Sequence, residues 1–473
     1  MLSFFRRFAP WFAGVVVVAM VASLGAGLVM VNQAPRAVSD DPSIGSLGPI
    51  NIDASLYMVQ LSDLLQQYRI DPNGLYDPEI IESVQMAALD YTVNASVFLY
   101  EATQLGLKPS GAEMDVSMAN LQTKYKVSSL KALKELFKQQ GIPYDTVLAN
   151  MKKNLTIQLY LNRVNDAIVM TDQDVMNQYQ LLTYDALFIP YSSTMNGTVR
   201  AKALSDQLAK GTLFDRLLSQ AVAGQLPMVV GLSQQTADAH QLPLVLERAM
   251  HALPLQTVSP VIETPLGWYI VRVTAHTPKS RPITLNMTVE IPKVKEIKQR
   301  QAFGLIVRRA LTQYAINWTQ PDLQTLYDKG NQQWARALEG YARQSSSAPY
   351  DPRPHYMASL LYEKLNRPAD QRAELEKAAL KGLLTPRLRL PMVDAYLARF
   401  VWQEGRVASA NALADAAVTA AEGNYTYMKR TASILEAGGF KGPATRLQTR
   451  LLELENAAAR QQQQPISANM MRL

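Results

Sequence analysis

The sequence predicts a mainly α-helical chain with one α+β domain, preceded by a transmembrane helix. Three observations predict this. Trp11–Val31 (WFAGVVVVAMVASLGAGLVMV) contains no charged residue; at about 1.5 Å per residue, such a helix crosses a hydrocarbon core about 30 Å thick. Between residues 183 and 277, short β-branched and aromatic runs alternate with helical stretches, as in a compact α+β unit. On both sides of that unit apolar residues recur at spacings of three and four, the helical period.

Composition narrows the function classes. A chain of 473 residues allows roughly two to four domains. With 48% hydrophobic and 18% charged residues it reads as globular, not disordered. The absence of cysteine excludes disulfides, thiolate catalysis and cysteine zinc sites. His240, His251, His276 and His355 form no HExxH pattern, so neither a metal nor a cofactor is expected. The net charge is +7. A nucleic-acid binder would cluster that charge around a recognisable reading element; none is found, so no nucleic-acid partner is expected. The basic surplus reads as a solvated face. The stretch Lys293–Arg309 (KVKEIKQRQAFGLIVRR) is a candidate contact for anionic lipid.

Taken in order, residues 1–10 carry Arg6 and Arg7, and Arg36 is the first basic residue after the apolar run. Positive charge stays inside, so the N-terminus is expected in the cytoplasm, 11–31 as a single-pass anchor, and the main body outside. A cleaved signal peptide is the competing reading. It needs a small-residue cleavage site, and the apolar run continues past Ser23–Gly27 without a clean one. Residues 32–50, rich in Pro, Gly, Ser and Asp, read as a linker. Residues 51–182 read as a helical domain. In Glu79–Leu107 the positions Ile80, Val84, Ala88, Tyr91, Ala95, Phe98, Ala102 and Leu105 form an apolar stripe. Ser110-x-x-Glu113 and Thr171-x-x-Asp174 are capping boxes that open further helices. Lys131–Gln140, Pro143–Val169 and Thr171–Leu182 continue the series.

In 183–277, Tyr184–Pro190 and Pro227–Leu232 are strand candidates, Thr198–Leu218 and Leu244–Leu253 helices, and Thr264–Val273 (TPLGWYIVRV) a turn running into the closing strand. Residues 278–319 are an extended linker followed by a returning helix, Lys293–Asn317. Residues 320–456 are helical and weakly repetitive. Gly330, Asn366, Gly405 and Gly439 mark turns, each preceded by a bulky residue (Tyr327, Tyr362, Val401, Leu435). Small residues follow: Ala335 and Ala342, Ala378 and Ala379, Ala410 with Ala414 and Ala417, then Ala444. Helix–turn–helix units of about 34 residues with small residues at the crossing are the tetratricopeptide pattern; a generic α-solenoid fits nearly as well. Residues 457–473, with Gln461–Gln464, read as a disordered tail.

Two segments carry a family resemblance. Leu105-Gly106-Leu107 followed by Pro109-Ser110-Gly111-Ala112-Glu113, then Gly141-Ile142-Pro143-Tyr144 and Val169–Val175 (VMTDQDV), resemble the N-terminal chaperone domain of SurA/PpiD/PrsA-type proteins. Leu208–Phe214 (LAKGTLF), Ala249–Leu253 (AMHAL), Val258-Ser259-Pro260-Val261 and TPLGWYIVRV are similar to a parvulin-type peptidyl-prolyl isomerase domain. Parvulins carry two histidines on adjacent central strands, with a Cys or Asp near the pocket. The resemblance puts the first histidine at Asp185 (or Ala186) and the second at Tyr269, and neither is histidine here. The glycine-rich segment is replaced by Ala223–Gly231 (AGQLPMVVG), and the pocket Met and Phe positions hold Leu242 or Pro243 and Leu246. No catalytic residue is therefore assigned. Leu187, Leu246, Trp268 and Tyr269 are the residues expected to bind peptide.

The resemblance implies a chaperone of the bacterial inner membrane, its body in the periplasm, that binds unfolded or nascent secreted polypeptides through the helical domain and an inactive parvulin domain. Two other functions remain open on the sequence: an active prolyl isomerase using Tyr269 and Asp185, and a tetratricopeptide scaffold docking the translocon or another envelope protein.

Overall fold

The structure, a computed structural model, describes residues 43–68, 70, 76–139, 143–191, 196–238, 241–282 and 284–463. The expected anchor Trp11–Val31 lies outside them; among them, no helix is long and apolar enough to cross a membrane. The chain is mainly helical. It divides into two compact units: one takes the described residues through Val59 with Tyr91–Asn317, the other Gln60–Asp90 with Trp318–Leu473. The segment 51–182 thus contributes to both.

The first unit opens with strands where a linker was expected. β1 (Ser43–Leu47) and β2 (Ile50–Asp53) pair antiparallel, and β7 (Ile316–Trp318) completes the sheet on the other side of β1. Gly48, at φ +56°, makes the turn. Ile44, Leu47, Ile50 and Ile52 are all buried; the surrounding Gly, Ser and Pro masked this apolar set. Helices α1 (Ala54–Gln67) and α2 (Pro78–Gln104) follow. In α2 the stripe residues Val84, Ala88, Ala95 and Ala102 are buried, while Leu105 lies past the helix end and is exposed. Both capping boxes form. Ser110 opens α3 (Gly111–Lys124) and Thr171 opens α6 (Asp172–Asn177), each side chain accepting from the N3 amide. Between them lie α4 (Leu130–Gln139) and α5 (Tyr144–Ala167). Helix α6 stops short of the expected Leu182 because Gln180 onward joins a sheet, with Leu182 fully buried in its core.

That sheet is four-stranded and antiparallel, in the order β4-β3-β6-β5, from β3 (Gln180–Pro190), β4 (Val230–Asp238), β5 (Ile262–Thr264) and β6 (Gly267–Pro278). The second strand runs from Val230 to Asp238, not over Pro227–Leu232. Its exposed SerGlnGln stretch has no apolar alternation to announce it, and hydrogen bonding to β3 makes the strand. The expected helix Thr198–Leu218 is two helices, α7 (Gly197–Ala209) and α8 (Phe214–Val222). Gly211, at φ +91°, breaks it, with Thr212 N donating to Gln207 O at 3.0 Å. The TPLGWYIVRV turn closes the β5–β6 hairpin. A Cβ on Gly267 would lie 2.1 Å from Ile189 O, so only glycine fits there.

Helix α9 (Leu244–Ala252) packs on one face of this sheet. Helix α10 (Met287–Gln313) then returns along the unit. It begins before the expected Lys293 because Asn286 caps it, accepting from Thr288 N at 3.1 Å. Pro292 lies inside the helix without ending it. Phe303 meets Phe98 edge-on at 5.9 Å, Arg309 pairs with Glu101 at 2.5 Å, and Val307 and Ala310 share an apolar cluster with Leu47, Ile50 and Val97.

The second unit contains α11 (Pro321–Gly330), α12 (Trp334–Ser347), α13 (Arg353–Lys364), α14 (Pro368–Leu384), α15 (Pro391–Gln403), α16 (Val407–Ala421), α17 (Tyr425–Ala437) and α18 (Lys441–Gln463), each packing on the next. Four turns are equivalent. After α11, α13, α15 and α17 a residue takes positive φ (Gln332, Asn366, Gly405, Gly439), and the next amide reaches back to Asp328, Tyr362, Val401 and Leu435, respectively. The first turn was therefore misplaced in sequence: Gln332, not Gly330, is its left-handed residue. Its small crossing residues are also displaced. Ala335 and Ala342 are exposed, and Ala337 and Gly340 are buried instead; a Cβ on Gly340 would lie 2.0 Å from Thr325 Oγ1. Of the others, Ala378, Ala410, Ala414, Ala417 and Ala444 are buried and Ala379 is half-buried. Helix α18 runs on through Gln463, past the expected start of a tail at 457, since Ala, Arg and Gln are good helix formers.

Candidate functional site

Alternation along β3 and β6 decides what can meet in the parvulin-like domain. Toward α9 the sheet presents Tyr184, Ala186, Tyr269, Val271 and Val273, packed with Leu246 and Met250. On the opposite face Leu187, Ile189, Trp268 and Ile270 pack with residues of α7 and α8. The four residues expected to bind peptide are thereby split: Leu246 and Tyr269 share one face, Leu187 and Trp268 the other. Strand neighbours point to opposite sides, so the four line no common pocket.

Tyr269 sits opposite Phe188 of β3 and Ile262 of β5. Its ring stacks on Phe188 with centroids 4.5 Å apart and planes 25° apart. It is 8% exposed, and burial, helped by nearby Tyr184, pushes its hydroxyl up to about 12. At neutral pH this phenol keeps its proton, so it can donate a hydrogen bond but cannot act as a base. Trp268 is held from beneath. A Cβ on Gly197 would lie 2.2 Å from its ring, and the Tyr191 ring lies 4.5 Å away while its hydroxyl donates to Glu263 at 2.9 Å.

Asp185 lies on the side of the sheet away from Tyr269. It is buried and bound on both oxygens. Arg272 Nη2 donates to Oδ2 at 2.7 Å, and Gln234 N donates to Oδ1 at 2.9 Å. The same Arg272 donates to Asp215 at 2.7 Å and lies over the Phe214 ring at 5.0 Å. Flanked by its carboxylates, the guanidinium is held even more firmly protonated than usual. Asp185 is thus the counter-ion of a structural arginine. Ala186, the other candidate for the first histidine, does share Tyr269's face, and it offers only a methyl group.

Two features escaped the sequence reading. His251 and His276 are a pair with ring centroids 5.6 Å apart, edge to face. Pairing of β3 with β6 slips between Thr183/Ala275 and Tyr184/Val273. That bulge turns His276 toward α9, and no sequence motif announces it. Burial, then His276 and Lys298, lower the His251 imidazole from 6.5 to about 4. The second feature is an ion pair between Lys298 of α10 and Glu247 of α9, with side chains 1% and 0% exposed. Lys298 also donates to Leu242 O at 3.2 Å. Among the described residues, no group of three His, Asp, Glu or Cys side chains is arranged to hold a metal ion; His240 lies outside them.

Comparison with known proteins bears on this domain. No curated protein matches the chain. Among solved structures, PrsA peptidylprolyl isomerase from Bacillus anthracis is similar at 15% identity, covering 47% of this chain and 95% of its own, with a TM-score of 0.20. A SurA-like chaperone structure from Campylobacter jejuni is similar at 17% identity, covering 55% and 94%, with a TM-score of 0.22. The foldase PrsA from Streptococcus pneumoniae follows at 18%, covering 53% and 87%, with a TM-score of 0.18. Residues 193–285 match the family model of the PPIC-type PPIASE domain. The α+β part of this chain is therefore similar to the parvulin class of peptidyl-prolyl isomerase domains, carried within a longer helical protein.

Proposed function

We propose that this protein is a membrane-tethered extracytoplasmic chaperone that binds unfolded or newly secreted polypeptides, its parvulin-type domain serving as a scaffold without efficient isomerase activity. The observation that carries this reading is the stack of Tyr269 on Phe188. A prolyl bond isomerises over a barrier of about 18–20 kcal/mol, and a parvulin lowers it with an apolar proline pocket and polar groups beside it. Here the corresponding face is filled by the protein's own Phe188, Tyr269, Leu246 and Met250. Asp185, at the first histidine position, is on the other face and engaged by Arg272.

Client binding is supported elsewhere. On α14, Leu380, Leu383 and Leu384 are more than half exposed, and their spacing puts them on one helix face. Leu383 also lines a cavity of about 200 Å³ together with Ala378, Gly382, Leu390, Val393 and Leu397. An exposed apolar patch of this kind is an interaction surface. The segment Trp11–Val31, with Arg6 and Arg7 before it, would hold the chain in the bacterial inner membrane with its body in the periplasm. The test is suppression of aggregation of a chemically unfolded client by the purified chain; a client that aggregates at its unassisted rate contradicts the proposal.

Two other readings each have one observation behind them. The match over residues 193–285 favours an active isomerase in which the Tyr269 hydroxyl donates to the substrate. The four equivalent turns favour a tetratricopeptide-like scaffold docking the translocon or another envelope protein. Crosslinking in membranes separates that scaffold, with its single stoichiometric partner, from a chaperone, which gives a smear of clients.

A further inference from the structure

The second unit encloses a segment that by sequence belongs to the domain before it. From Asp77 to Leu89, the start of α2, no residue is exposed, although the stretch carries Asp77, Glu79 and Glu82. Their partners converge from several helices of the repeat region. Glu82 accepts from Lys329 Nζ on α11 at 2.6 Å and from the Tyr341 hydroxyl on α12 at 2.7 Å. Glu79 accepts from Arg430 Nη2 on α17 at 2.7 Å. Asp77 is 2% exposed. One of its oxygens lies 3.9 Å from Arg430, and the other accepts from Glu79 N at 3.0 Å, capping the helix. Burial, then the Asp77 charge, holds the hydroxyl of the wholly buried Tyr356 on α13 well above its ordinary range. Further along, Met86 rests on Gly330; a Cβ there would lie 2.6 Å from its methyl.

Lys329, Tyr356 and Arg430 stand on the first helices of the first, second and fourth helix pairs. Side chains from three of the four helix pairs thus gather around one segment, as a receptor groove surrounds its ligand. The chemistry is matched: donors that are charged or phenolic meet carboxylates, and carboxylates at a helix start also complement its dipole. We propose that these helices together form a binding site for the acidic start of a helix, of Asp-x-Glu-x-x-Glu character, and that residues 77–89 occupy it in cis. The site stands independently of whether the parvulin-type domain is active. It makes the repeat region a receptor whose recognition is engaged within the chain.

The test uses the full chain and a fluorescent synthetic peptide of residues 76–91. In the variant Glu79→Lys/Glu82→Lys the cis ligand is weakened. The peptide should bind this variant at least about tenfold more tightly than it binds the unaltered chain, where the tethered segment competes at high effective concentration. Adding Lys329→Glu and Arg430→Glu should abolish that binding. No binding to the folded variant, equal binding to the unaltered chain, or binding that survives the groove substitutions would each overturn the proposal. If the variant shows no cooperative melting transition, the charge exchange Glu79→Arg with Arg430→Glu decides instead. A melting temperature above that of both single variants supports the site, and one no higher than theirs overturns it.

Discussion

Lys298 and Glu247 form an ion pair from which water is excluded, joining the returning helix α10 to α9 of the parvulin-type domain. Breaking such a pair leaves an uncompensated buried charge. Lys298→Met should lower stability by about 3–5 kcal/mol, while Lys298→Met with Glu247→Leu should recover to within about 1–2 kcal/mol of the unaltered chain. Chemical denaturation of the three proteins measures both values. A single variant as stable as the double would show that the pair does not join the elements.

Burial of His251, beside His276, makes stability depend on pH. Folding holds the His251 ring, ordinarily near 6.5, at about 4, so the unfolded chain takes up the proton first. This contribution is full above about pH 6.5 and is lost as pH falls toward 4. After discounting for solvent screening of a half-buried ring, the loss is on the order of 1–2 kcal/mol. The variant His251→Gln should lose less stability between pH 7 and 5 than the unaltered chain does, as followed by denaturation midpoints. Parallel pH profiles would refute the assignment.

Arg272 serves two carboxylates of unequal exposure. The Asp185 side chain is 3% exposed and that of Asp215 70%. Arg272→Met should therefore cost about 3 kcal/mol by stranding Asp185, whereas Asp215→Ala should cost less than about 1 kcal/mol. Equal losses in thermal denaturation would mean that Asp185 is not the partner that matters.

The exposed leucines of α14 offer a direct approach to client binding. Leu383→Asp with Leu384→Asp should reduce suppression of client aggregation several-fold while changing stability by no more than about 0.5 kcal/mol per site, as surface substitutions do. Full suppression by the folded variant would move client binding off this face.

The sequence made some of this architecture legible and hid the rest for identifiable reasons. Capping boxes at Ser110 and Thr171 rest on local hydrogen bonding, so three residues of spacing were enough to find them. The β5–β6 hairpin was equally local, with Gly267 forced by the approach of Ile189 O. What failed were features set by distant partners. The polar β4 exists because β3 binds it, and β1 and β2 were hidden among turn-forming residues. The split of Leu187 and Trp268 from Leu246 and Tyr269 follows from strand parity once the register is known. The His251–His276 and Lys298–Glu247 pairs depend on a bulge and on a helix returning from far along the chain, and no motif encodes either. Enclosure of Asp77–Leu89 by the repeats was likewise invisible, because the apolar stripe of α2 reads the same whichever partner covers it.

The proposed absence of efficient isomerase chemistry in the parvulin-type domain is checked by the isomerisation rate of a proline-containing tetrapeptide in the presence of the full chain. A rate indistinguishable from buffer, unchanged in Tyr269→Phe, is expected. An acceleration that falls on Tyr269→Phe, in a variant of unaltered stability, would contradict it and make that hydroxyl a catalytic group.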